Sequence, residues 1–225
     1  MCMIFSLNCI AMNTGFATED INKEDQAWIY QNLKVQSIQA PEITGSFCCF
    51  DVNPNGNYIL GFNGKPDKVC VYDKEGIFLY GFSLQDNGSF GVGWDDGNIL
   101  VYRVRSDLAV SIDRDGNCID MKKIPQSIEN NEYWNHVVRA SNRVVGDEIF
   151  NAENHMGLLN IFSAQTYTSL VKTSASGDEI ILFDATKQQK MNVIGVLLII
   201  GVFLLVFIIG FSASMIRLNK TRTSE

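Results

Sequence analysis

The chain has 225 residues, 46% of them hydrophobic, with 18 Lys and Arg against 25 Asp and Glu, for a formal charge of -7. That length holds one or two domains. The acidic balance argues against nucleic acid as a partner, and six cysteines do not by themselves settle a redox compartment.

The first residues, "MCMIFSLNCIAMNTGFATED", combine a short apolar stretch with a small-x-small site at Gly15-Phe16-Ala17, but no Lys or Arg precedes Lys23. A signal peptide over residues 1–17 is the expectation, although the charged start such a segment normally carries is missing. Cys2 and Cys9 would leave with it. Cys48, Cys49, Cys70 and Cys118 show no CxxC pair or zinc spacing and are expected as buried thiols, a Cys70 to Cys118 disulfide being allowed but not deducible. Being adjacent, Cys48 and Cys49 would point to opposite faces of a strand.

From Glu19 to Lys190 the pattern predicts short strands and almost no sustained helical period. "NYILGF" (57–62), "KVCVYD" (68–73), "GIFLYGF" (76–82), "NILVYRV" (98–104) and "LAVSID" (108–113) are rich in β-branched and aromatic residues and closed by Gly, Asn or Asp. "VCVYDKEGIF" (69–78) lies over "AVSIDRDGNC" (109–118) with Asp73 over Asp113 and Gly76 over Gly116. A third hairpin, "SLVKTSASGDEIILFD" (169–184), turns at Gly177, and the stretch before it reads as a degenerate unit or an insertion. A recurrence of about 40 residues marks a repeat architecture.

"FDVNPNGNYILGFNGKPDKVCVYDKEGIFLYGF" resembles a blade of the NHL-type β-propellers, with Asp73, Gly76, Phe78 and Phe82 on the family pattern; the second unit keeps Asp113 and Gly116, and the third only its glycine. The resemblance implies an all-β domain of β-propeller-like antiparallel blades over residues 18–188, and a binding scaffold more often than an enzyme. At this period the outer region holds at most four units, so the array is a minimal or incomplete propeller, an open stack, or one closed by a second chain. Blades packed on both sides need strands apolar on both faces, and an open stack would leave a strand edge to be covered.

Candidate chemistry is sparse. "DVNPNG" (51–56) matches the first half of a calcium loop, but the acid required at its twelfth position is Phe62, and the same residues make a turn. "SIDRDGNC" (111–118) is similar to the Asp-box turns of sialidase propellers, with its glycine one place late. Asp95 and Asp96 are adjacent in a turn and lack the facing geometry of glycosidase carboxylates. His136 and His155 stand near no nucleophile motif. Neither a catalytic set, a metal site nor a cofactor is therefore expected. The candidate binding surface is Trp94, Arg103, Arg105, Tyr133 and Trp134, aromatic and guanidinium side chains of the kind that anchor interfaces.

"VIGVLLIIGVFLLVFIIGF" (193–211) contains no polar side chain, and no charge occurs between Met191 and Ile216. At about 1.5 Å per residue the run spans roughly 28 Å, matching a bilayer core. Residues 191–216 are expected to cross the lipid bilayer, followed by a basic tail over 217–225. Arg217, Lys220 and Arg222 after the span, against Lys187 and Lys190 before it, favour a cytoplasmic C-terminus and an extracytoplasmic domain at the cell membrane. Gly210-x-x-x-Ser214 would allow helix pairing into a homodimer. The expected function is non-catalytic binding or scaffolding of a protein partner; the alternatives are a membrane-tethered hydrolase and a tail-anchored cytoplasmic adaptor.

Overall fold

The computed structural model describes residues 12–42, 45–85, 88–162 and 166–222, the last eleven by their backbone alone. In chain order the elements are β1 (Glu19–Asp20), α1 (Lys23–Leu33), β2 (Gln36–Ile38), β3 (Cys49–Val52), β4 (Tyr58–Phe62), β5 (Asp67–Tyr72), β6 (Phe78–Leu84), β7 (Phe90–Asp95), β8 (Asn98–Arg103), β9 (Leu108–Ile112), β10 (Cys118–Lys123), α2 (Ile128–Tyr133), β11 (Asn142–Val145), β12 (Glu148–Glu153), β13 (Ser169–Thr173), β14 (Glu179–Asp184) and α3 (Thr186–Arg222). A π-helical turn, Trp134–Val138, continues α2, and a 3-10 turn, Gly157–Phe162, interrupts the connection from β12 to β13.

The strands form three antiparallel sheets, ordered β3-β4-β5-β6-β2, β7-β8-β9-β10-β1 and β11-β12-β13-β14. Each is a four-stranded meander, and in the first two a short N-terminal strand pairs along the outer edge that the meander leaves bare. Among the described residues the sheets do not close into a ring. The first sheet lies in the middle: Ile59, Val69 and Val71 face the second sheet, while Tyr58, Leu60, Phe62, Cys70 and Tyr72 face the third. This explains why β4 is buried at every position. The far face of the second sheet is covered by Met12, Phe16, Tyr133, Trp134 and Val138, whereas Val144, Ile149 and Ile181 of the third sheet remain exposed.

The repeat is built on one turn used four times. The Asp73 carboxylate accepts from the amides of Glu75 and Ile77 at 3.0 and 2.8 Å, and Asp113 does the same with Asp115 and Asn117 at 2.9 and 2.7 Å. Asn53 holds Asn55 and Asn57 in the same way, and the Ser174 hydroxyl accepts from Asp178. In each the fourth residue, Gly56, Gly76, Gly116 or Gly177, has φ between 81° and 89°, where a side chain would be strained. The "DVNPNG" stretch is thus one of these turns, with the Asn53 side chain bound to its own backbone.

Two expectations are corrected. The helix α1 was not foreseen: its cap is local, Asn22 accepting from the Asp25 amide at 2.9 Å with Glu24 and Asp25 in the first turn, but its apolar face is narrow, burying Leu33 fully and Ile29 and Tyr30 in part. Cys48 and Cys49 do not diverge, because Cys48 precedes the first residue of β3 and escapes the strand alternation; their sulfurs lie 3.6 Å apart. All four described cysteines are free thiols, Cys70 and Cys118 included.

Residues 12–17 of the expected signal segment run along the second sheet, where the Tyr102 hydroxyl donates to the Thr14 carbonyl; residues 1–11 lie outside the described residues. The C-terminal helix begins at Thr186, directly after β14, and Thr186–Phe211 is long and apolar enough to cross a membrane. The side chain of Ser214, half of the small-residue pair, lies outside the description, as do residues 223–225.

Candidate functional site

Three elements converge where the sheets meet. Arg143, at the start of β11, sends Nε to the Asp51 carboxylate at 3.0 Å, Nη2 to the carbonyls of Phe50 and Val138 at 3.0 and 3.2 Å, and Nη1 to those of Ala140 and Asn142 at 3.0 and 2.8 Å. All five guanidinium hydrogens are engaged, and the group lies 4.9 Å over the Phe50 ring. Arg143 therefore ties β3, the π-helical turn and the third sheet together. Burial raises the Asp51 carboxyl above its ordinary range, and the Arg143 charge and hydrogen bond oppose that rise. Nothing in the local sequence around Arg143 marks this role, because its partners on β3 lie some ninety residues away.

Beside this tie is a cavity of about 570 Å³. Cys49 of the first sheet, Asn63 of the β4–β5 turn, Phe90 and Gly91 of the second sheet, Arg139 after the π-helical turn, and Asn154, Asn160 and Thr166 of the β12–β13 connection line it. Two glycines set its walls: a Cβ on Gly91 would stand 2.4 Å from Val138 Cγ1, and one on Gly61 would stand 2.5 Å from the Cys49 sulfur. The Thr166 hydroxyl is buried with no hydrogen-bond partner among the described residues. The Arg139 guanidinium lies 5.2 Å over the Trp134 ring.

The lining is rich in hydrogen-bonding amides and poor in acid–base groups. Burial, reinforced by the Cys48 hydrogen bond, pushes the Cys49 thiol well above its ordinary pKa, which keeps it neutral and a poor nucleophile. Three carboxylates that a hydrolase would need to bring together are occupied at separate places: Asp51 by Arg143, Asp95 by the Asn13 amide and the Ser111 hydroxyl, and Asp113 by its turn. His155 is half exposed and paired through Nε2 with Glu153 at 2.8 Å. Among the described residues no three His, Cys, Asp or Glu side chains are grouped as metal ligands.

The five candidate binding residues are dispersed. Trp94 is half-buried on β7 against the core between the first two sheets. Tyr133 and Trp134 are half-buried beneath their own segment, packed on Phe16 and Tyr102. Arg103 ends β8 and Arg105 lies in the turn after it, both on a shallow groove with Trp28 and Lys65. The cavity was missed because its polar lining comes from connections that carry no motif. The signal that could have found it is the concentration of Asn and Thr in residues 154–168, the stretch that fails to follow the repeat.

The strand directions give the molecule two ends. The turns 53–57, 73–77, 113–117 and 174–178 lie at one; the β4–β5 turn, the β8–β9 turn, the β12–β13 connection, the cavity and the start of α3 lie at the other. The exposed charges of the first end are Glu75, Asp96, Asp115, Asp147, Asp178 and Glu179 with Lys74 and Arg114, whereas Lys65, Arg105, Lys123, Arg139 and Lys187 stand exposed at the second together with Glu19 and Asp184. Comparison with protein-family models and with curated proteins finds no match to this chain.

Proposed function

We propose that the chain is a single-pass membrane protein whose β-propeller-like repeat domain is a non-catalytic binding module for a protein partner, presented on the extracytoplasmic face. The observation that carries this reading is the polar cavity where the sheets converge, lined by the Asn63 amide, the Arg139 guanidinium and the Thr166 hydroxyl, which has no partner among the described residues, with no acid–base pair described in it. Such a lining suits hydrogen bonding to a peptide segment better than bond cleavage. The repeat supports the blade-like reading through its shared turn and both-faces burial of the first sheet. Three meanders, two of them with a covered outer edge, fit an incomplete propeller.

A photoreactive residue at position 160 in intact cells tests it. A cross-linked protein adduct at 160, absent with the same residue at Asn55 in the opposite end, is the expected result; adducts at 55 alone would reverse the assignment. Protease shaving of those cells should remove the domain, and its survival would favour the tail-anchored cytoplasmic reading.

A further inference from the structure

The two most exposed large apolar side chains of the β domain sit together beside the C-terminal helix. Leu158 and Ile161 of the 3-10 turn are 93% and 82% exposed, more than any described side chain of the apolar helix itself. Spaced three apart, they project along one line of a 3-10 helix. The turn is held in place rather than trailing: Met156 before it is buried, Asn154 Oδ1 accepts from the Met156 amide at 2.9 Å, and Asn154 Nδ2 donates to the Thr166 carbonyl at 2.8 Å. Its backbone packs against α3.

The level of this turn relative to a bilayer follows from the helix. Gln189 and Asn192 of α3 line one pocket with Phe62, Gly64 and Lys65 of the β4–β5 turn. Asn192 immediately precedes the first residue of the apolar run, so with about 1.5 Å of rise per residue that turn stands within a few ångströms of the hydrocarbon boundary. The polar zone on each side of the hydrocarbon is about 5–8 Å deep, so the end of the domain bearing the β4–β5 and 3-10 turns lies in the headgroup layer. Lys65, Lys187 and Lys190 belong to this end, with Glu42 and Asp184 among them, so the charge here is mixed and the apolar pair, not the charge, carries the case for docking.

On the reading of α3 as a membrane span, we infer that the 3-10 turn Gly157–Phe162 is a membrane-docking element: Leu158 and Ile161 enter the boundary between headgroups and acyl chains of the same bilayer that α3 crosses. The domain is thereby fixed in orientation, and the cavity, which Asn160 of the same turn lines, opens at the bilayer surface. A partner reaching it is one anchored in, or lying on, that membrane.

The test uses the full chain in phosphatidylcholine vesicles with acyl chains brominated near the headgroup, to read positions 158 and 77, or near the chain ends, to read position 203 at the middle of the run, and three variants, Leu158→Trp, Ile77→Trp and Phe203→Trp, each read after subtraction of the unsubstituted chain. Emission from position 158 should fall roughly twofold or more against unbrominated vesicles, as for other side chains sunk into the interface. Emission from position 77, in an acidic turn at the far end, should not change. Quenching at 203 with none at 158 would overturn docking and leave the span intact, and equal quenching at 77 and 158 would overturn it as well. No quenching at 203 would refute the span, and docking with it.

Discussion

The two ends of the β domain differ in how they are specified. At the acidic end four turns share one Asx- or Ser-capped geometry with a positive-φ glycine, each closed by hydrogen bonds within five residues. At the other end the connections are irregular in length, and their contacts run between sheets, as in the paired backbone hydrogen bonds of Phe47 and Tyr167 at 3.0 and 2.7 Å. Local sequence thus makes the end that is alike in every unit, and long-range packing makes the end that is not. The cavity, the helix exit and the exposed Leu158–Ile161 pair all belong to the second kind.

The comparison is sharpened first by removing the long-range tie. Arg143→Met leaves the partly buried Asp51 carboxylate without its ion pair and three elements without their tie, and should cost about 2–4 kcal/mol, toward the low end for a buried pair, in urea unfolding of the full chain in detergent. A loss no larger than that of a surface arginine would mean that the sheets are held without it. Gly91→Ala forces a Cβ to within 2.4 Å of Val138 Cγ1, and should cost about 1–3 kcal/mol by overpacking the cavity wall. Photo-cross-linking of the Gly91→Ala chain should show weaker adduct formation from position 160.

The turn end should respond less and more locally. Asp73→Ala removes two hydrogen bonds to backbone amides and should cost about 1 kcal/mol, leaving the cavity unaffected. Asp113 supplies a pH test without mutation. Slight burial would raise its carboxyl, but hydrogen bonds from the Asn117 side chain and from the amides of Asn117, Asp115 and Gly116 outweigh it, so its pKa lies below the usual 3.8. Because the folded value is depressed, its stabilisation is present above 3.8 and lost as pH falls through the folded value. Carbon NMR titration of that carboxyl should place its midpoint below 3.8, with exchange of the turn amides rising as it titrates; a midpoint at or above 3.8 would contradict the turn geometry.

What the sequence made legible follows the same division. β4, β5, β8 and β9 fall where alternation and turn residues put them, since each signal is contained in a few neighbouring residues. The pairing of Cys48 with Cys49 was misread because alternation was extended one residue past the start of β3. Arg143 carries no local mark, its partners being remote in the chain, and Tyr133 and Trp134 look like loop anchors until the N-terminal segment and Tyr102 are seen to enclose them. Net charge hides how the charges are placed: the turns farthest from α3 carry the exposed acids Glu75, Asp96, Asp115, Asp147, Asp178 and Glu179, while Glu19, Asp20, Glu24, Asp25, Glu129, Glu132 and Asp184 stand exposed elsewhere.

The central claim, that the irregular end stands at the membrane and the repeated turns stand away from it, is tested most directly by energy transfer to acceptor-labelled lipid headgroups. A genetically encoded fluorescent residue replaces Leu158 or Asp115 in the full chain reconstituted in nanodiscs. The two positions are separated by at least one strand of five or six residues, about 20 Å. Strong transfer from position 158 and weak transfer from position 115 is the predicted result; equal transfer from both, or stronger transfer from 115, would contradict it.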